Sequence, residues 1–106
     1  MAINSKEKGK RAEREIVALL REYGFTDAKR GQQYHGGTDS PDVQGLPGVH
    51  IEVKHVERLN INEAMAQADR DCGENMPAVF HRRNRTPWLV TVHIDDFMEL
   101  YMEAKK

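Results

Sequence analysis

Eight residues, Val49 to Val56 (VHIEVKHV), alternate β-branched with polar side chains, and that period of two dictates a strand. The turn Gly45-Leu46-Pro47-Gly48 precedes it, so Pro41-Asp42-Val43 is expected to start the antiparallel partner strand. Alternation sets Val49, Ile51 and Val53 on one face and His50, Glu52 and Lys54 on the other. The first set reads as core. The second carries an acid and a base two residues apart and pointing the same way. A hairpin of this length brings Asp42 beside Glu52. Two carboxylates on adjacent strands, with the Val53 backbone carbonyl between them, form an oxygen-only donor set. Hard cations such as Mg²⁺ and Mn²⁺ prefer that set. Lys54 adds a point charge able to hold a phosphate or an attacking water. The same residues also fit a plain cross-strand ion pair on a solvated sheet face, and the E-x-K spacing alone does not separate the two.

The rest of the chain gives that strand a setting. Asn4 or Ser5 can cap a helix running without proline from Lys6 to Tyr23, where Gly24 stops it. At 100° per residue, Ala12, Ile16, Val17, Leu19, Leu20 and Tyr23 share one arc, with Arg11, Arg14, Glu15, Arg21 and Glu22 outside it. Glu13 falls inside the arc, between Leu20 and Val17. A carboxylate on a buried helix face needs a partner, and a metal or Lys54 would supply one. Phe25 to Arg30 reads as a short strand and Gly31 to Ser40 as a loop. Asn60 or Asn62 caps a helix to about Cys72, and Pro77 ends that region. Ala78 to Arg82 and Trp88 to Ile94 read as a strand pair, and Asp95 caps a last helix from Asp96 to Glu103. The expected fold is a single α/β domain over residues 1–106, a small mixed sheet flanked by helices.

Composition narrows the class. One domain is what 106 residues allow. No apolar run nears the ~18–20 residues of a membrane helix, and no secretory signal is visible at the N-terminus. The single cysteine, Cys72, excludes a disulfide framework and a cysteine-built zinc site, so a cytoplasmic protein is the expectation. Net charge is −1, but it is unevenly spread: residues 1–34 carry +3, 35–76 carry −5 and 77–106 carry +1. An acidic middle between basic flanks is what a cation site requires.

These residues also carry a resemblance. Pro41-Asp42 followed by Glu52-Val53-Lys54 resembles the PD-(D/E)xK nuclease core. Lys8-Gly9-Lys10-Arg11-Ala12-Glu13-Arg14-Glu15 is similar to the KGxxxER opening of Holliday junction resolvases of archaeal type. Gly45 to Arg58, with Val79 to Val90 (VFHRRNRTPWLV), is similar to small resolvase-like endonucleases of bacterial phages and prophages. The resemblance implies a restriction-endonuclease-like core, a divalent metal (Mg²⁺, with Mn²⁺ as substitute) and hydrolysis of DNA phosphodiester bonds. It implies catalytic positions for Glu13, Asp42, Glu52 and Lys54, with Asp42, Glu52, Val53 and Glu13 around metal. Branched DNA, favoured as a four-way junction, and a bacterial or phage-infected host cell are implied on the same ground. Flap, nicking or restriction-type cleavage by the same core stays open, as does a non-catalytic DNA-binding phage module.

Basic residues supply the expected DNA contacts: Arg11, Arg14, Lys29 and Arg30 beside the site, and Arg82, Arg83 and Arg85 near a hairpin tip. Gln67, His35 and His50 are lesser candidates for the site edge, His50 the better histidine because it shares the Glu52 face. Met65, Met98, Met102 and Trp88 read as core or subunit interface. Leu100 and Met102 point about 160° apart on a helix, so one chain cannot bury the whole C-terminal apolar set. Paired cuts across a junction call for two sites, and a two-fold homodimer is expected.

Overall fold

The computed structural model describes residues 5–31 and 40–106. Its elements are α1 (Ser5–Glu22), β1 (Lys29–Arg30), β2 (Val43–Gln44), β3 (Val49–His55), α2 (Ile61–Asp71), β4 (Met76–Arg82), β5 (Leu89–Thr91) and α3 (Ile94–Ala104). One sheet holds all five strands in the order β1-β2-β3-β4-β5. Only the β3–β4 pair is parallel. Its crossover is α2, since parallel neighbours need a connection long enough to return the chain to the same end.

Both faces of the sheet are covered. On one, α1 packs Ala12, Ile16, Val17 and Leu20 against Ala28, Val43, Ile51 and Val53. On the other, α2 packs Ala64, Met65 and Ala68 around Val79, with Leu59 and Ile61 at the margin. The two alanines let α2 lie close to the sheet. Ile16, Ile51, Val43 and Val79 are the largest fully buried side chains, each worth roughly 1.5–3 kcal/mol of burial.

Turn chemistry fixes the hairpin that carries the acidic pair. Gly45 has φ +107, and a Cβ there would lie 2.5 Å from the Ala28 Cα. At Gly31 a Cβ would collide with the Pro41 carbonyl oxygen. Glycine is required at both positions for β1 and β2 to approach.

The element order matches expectation, and several details do not. Residues 25–28 are turn, so the first strand is only Lys29–Arg30. Pro77 lies inside β4 rather than before it. The Met76 N–H bonds the Gly48 carbonyl toward β3, so Pro77, the next residue, turns its missing N–H toward the other edge. There β5 pairing begins only at Val79, and nothing is lost. Tyr23, grouped with the apolar arc, is 80% exposed because α1 ends at Glu22. The cap of α3 is His93, not Asp95. Asn60 caps α2, its side chain accepting the Glu63 N–H at 3.1 Å. The expected Asn4 cap and the loop over 32–39, with His35, lie outside the described residues.

Candidate active site

Asp42 is held by its own backbone before its side chain acts. Its N–H bonds the Ile51 carbonyl at 2.8 Å, and its carbonyl accepts the Gly31 N–H at 2.8 Å. With Val43 paired to Ile51, the antiparallel register sets Asp42 opposite Glu52. The Val53 N–H donates to Asp42 Oδ2 at 2.8 Å. In an extended strand a residue's N–H and C=O share one edge, so the Val53 carbonyl is turned toward the Asp42 side as well.

The alternative of an ion pair on a solvated sheet face does not describe Glu52. Because α2 covers it, Glu52 and His50 are each 2% exposed. The Asp42 and Glu52 side chains are hydrogen-bonded to each other. Burial, with the Glu52 charge adding to it, pushes Asp42 up to about 7, while the Val53 N–H works in the opposite direction. Burial also raises Glu52, and the Asp42 hydrogen bond and Lys54 only partly offset it. Both carboxyls are thus held above the ordinary carboxylate range, by burial first and, for Asp42, by the Glu52 charge second. One buried carboxylate, one part-buried carboxylate and an adjacent backbone carbonyl, with no soft ligand, are a donor set that a divalent ion fits.

Glu13 reaches the same neighbourhood from α1. Its side chain is 18% exposed, and its Oε1 accepts the Arg30 Nε–H at 2.8 Å. Burial raises its pKa, the Arg30 hydrogen bond lowers it, and the Asp42 charge raises it. Glu13 and Asp42 therefore share one electrostatic field. The partner of Glu13 is Arg30, not Lys54. Lys54 instead lies 3.4 Å from Gln67 Oε1, its ammonium donating. Gln67 thus meets the site edge through Lys54.

Other basic residues divide into exposed and engaged groups. Arg14, Lys29 and Arg30 line one shallow concavity of about 360 Å³ with Val17, Ala18 and Arg21, and Arg11 is exposed further along α1. Arg83 and Arg85 are exposed at the β4–β5 tip, where Arg85 takes φ 63. Arg82 is engaged within the chain. Its Nη1 donates to Glu15 Oε1 at 3.0 Å and its guanidinium lies 5.6 Å from the Trp88 ring centre. Trp88 Nε1 also donates to Glu15, at 3.4 Å. Glu15 is therefore not the plain surface residue its wheel position suggested; it ties α1 to the β4–β5 hairpin.

Two residues join the site from places sequence reading weighed lightly or not at all. His50 Nε2 lies 3.0 Å from Glu52 Oε1. One ligand atom each of His50, Glu52 and Asp71 lie within 4.8 Å of one another. Asp71 is the residue the sequence reading missed. The available signal was spacing: Gln67 and Asp71 are four apart on α2, continuing the sheet-facing stripe of Ala64 and Ala68.

No curated protein and no solved structure matches the chain. A sequence family does: archaeal Holliday junction resolvase, over residues 4–95. That span takes in Glu13, Asp42, Glu52 and Lys54 and every element before α3. With a strand-borne acidic pair, an E-x-K motif and a five-stranded mixed sheet flanked by helices, the chain belongs to the archaeal Holliday junction resolvase family of PD-(D/E)xK nucleases.

Proposed function

We propose that this chain is a divalent-metal-dependent endodeoxyribonuclease that resolves four-way DNA junctions as a homodimer. The observation that carries the reading is the Asp42–Glu52 carboxylate pair, set side by side across the β2–β3 hairpin with Glu52 buried and Asp42 part-buried, and with Lys54 two residues on. Asp42, Glu52 and the Val53 carbonyl would hold Mg²⁺, with Mn²⁺ as substitute, and Glu13 would hold a second ion or the hydration shell. When bound, such an ion supplies Lewis acidity at the scissile phosphate and a more acidic water. Lys54, steadied by Gln67, supplies an ammonium to orient that water or to stabilise charge developing on the phosphate. Arg30 sets the rotamer of Glu13. Arg11, Arg14, Lys29 and Arg30 give the DNA backbone a basic approach beside the carboxylates, and Arg83 and Arg85 give a second one at the hairpin tip. Arg82 joins the latter only by leaving Glu15, so its contribution is the smaller.

The second subunit is expected on α3. Ile94, Phe97, Met98, Leu100, Tyr101 and Met102 are 43–75% exposed, and α3 buries no residue. Leu89 and Val90 on the edge strand β5 extend the apolar surface. An antiparallel pairing of α3 with its copy would set Asp95 and Asp96 of one chain against Lys105 and Lys106 of the other, with opposed helix dipoles. No helix among the described residues is long and apolar enough to cross a membrane. Likeness to phage enzymes supports action in the cytoplasm of a bacterial or phage-infected cell.

Cleavage of matched linear, flap and four-way substrates with Mg²⁺ or with EDTA tests the reading. Mg²⁺-dependent paired cuts favouring the four-way substrate are expected. Preference for the flap or linear substrate would reassign it to a nicking or restriction-type nuclease. Binding without cleavage would make it a non-catalytic module.

A further inference from the structure

Glu52 makes one buried contact that the proposed reaction leaves unused. His50 and Glu52 stand two residues apart on the face of β3 that α2 covers, and each is 2% exposed. His50 Nε2 is 3.0 Å from Glu52 Oε1. Facing an ionised Glu52, whose oxygens only accept, Nε2 must carry the hydrogen, and Oε1 is then engaged from behind. Asp71, on the last turn of α2, completes the cluster within 4.8 Å. The glutamate is thus tied at two points, to His50 and to Asp42.

A glutamate side chain free to rotate has rotamer entropy to lose on ordering. A ligand carboxylate fixed in advance does not lose it when the ion arrives. Outer hydrogen-bond partners of metal ligands work in this way and are typically worth 10–100-fold in metal affinity. Packing alone would be served by an apolar residue at position 50, as it is by Val79 on the paired strand beside Glu52. A buried imidazole aimed at the carboxylate calls for a polar role.

We propose that His50 is a positioning residue: its Nε2–H···Oε1 bond holds the Glu52 carboxylate facing Asp42, with Asp71 closing the cluster from α2. The inference rests on the reading of Asp42 and Glu52 as metal ligands. It differs from direct ligation by His50, which would need Nε2 free of hydrogen.

Two measurements test it. In the metal-free protein, long-range proton–nitrogen NMR reads the imidazole tautomer. His50 protonated at Nε2, with its resonance moving in Glu52→Gln, is expected; protonation at Nδ1 would overturn the proposal. In Mn²⁺ calorimetry, His50→Leu keeps the bulk and removes the donor. Its affinity is expected to fall ~10–100-fold, with junction binding in EDTA retained. His50→Gln, which restores a donor near the Nε2 position, is expected to recover much of the loss. Wild-type affinity in His50→Leu would overturn the role. Should His50→Leu not fold, the wild-type tautomer decides alone. Glu52→Gln separates the two levels. Unchanged Mn²⁺ affinity there removes the metal centre and the role of His50 with it, whereas lost affinity there beside wild-type affinity in His50→Leu removes His50 only.

Discussion

Asp42 is where residue chemistry departs furthest from the ordinary, and the departure has a sign. Its folded value is about 7 against an ordinary 3.8. A raised acid favours folding when protonated. Its contribution is fully present below about pH 4 and is lost as pH rises through about 7, on the order of a few kcal/mol in all. Glu52 and Glu13, also raised, act in the same direction. His50, lowered by burial, acts in the opposite one: its contribution is lost as pH falls below the ordinary histidine range. The metal-free chain should therefore be less stable at pH 8 than at pH 6, and Asp42→Asn should shrink that difference. Thermal melts in EDTA at the two pH values check this, and a metal-free chain whose stability is flat over that range would contradict the burial account. Glu13 and Glu15 make a second contrast. Glu13→Gln removes a carboxylate from the site field and should cost orders of magnitude in cleavage rate. Glu15→Gln weakens the tie to Arg82 and Trp88, and should cost at most ~1 kcal/mol of stability with little effect on rate. Single-turnover rates beside denaturant melts separate the two, and equal rate losses would mean that the phase of α1 has no bearing on catalysis.

At the scale of elements, what was legible was what is local. The β2–β3 hairpin followed from the GLPG turn and the alternation of β3, and these alone bring Asp42 beside Glu52. The order of helices and strands followed from periodicity and caps. The burial of Glu52 and His50 was not legible, because it depends on α2 closing over a face that alternation marks as polar. The clue lay in Ala64 and Ala68, small residues that signal close approach but not to which strand. The Glu15–Arg82 tie was hidden for the same reason, since it joins residues 67 apart. Asp71 went unseen because a helix-terminal aspartate is common, and only packing turns it toward His50. Capping gives a local prediction that can be checked. Asn60→Ala removes the acceptor for the Glu63 N–H, and should cost ~1 kcal/mol in chemical denaturation. It should also loosen Gln67 and Asp71, which the same helix carries.

For the whole molecule, the charge pattern and the apolar helix belong together. The acidic middle third collects around β2, β3 and α2, where Asp42, Glu52 and Asp71 meet. The basic flanks fall on α1, β1 and the β4–β5 tip. The family match ends at residue 95, just inside α3, and α3 is also the element that joins no core. Replacing Phe97 and Leu100 with Glu should leave the fold intact, since neither is buried. It should also bring the mass by light scattering from twice 12.2 kDa to 12.2 kDa. Paired junction cuts should then become single nicks. A wild-type chain that is monomeric with and without junction DNA would remove the dimer. The acidic pair remains the centre on which every other assignment depends. The most direct test is Mn²⁺ calorimetry on wild type and Asp42→Asn, with four-way junction cleavage and binding measured on the same samples. Saturable Mn²⁺ binding by wild type, lost in Asp42→Asn together with cleavage while junction binding persists or tightens, is the predicted result; unchanged Mn²⁺ affinity in Asp42→Asn would contradict it.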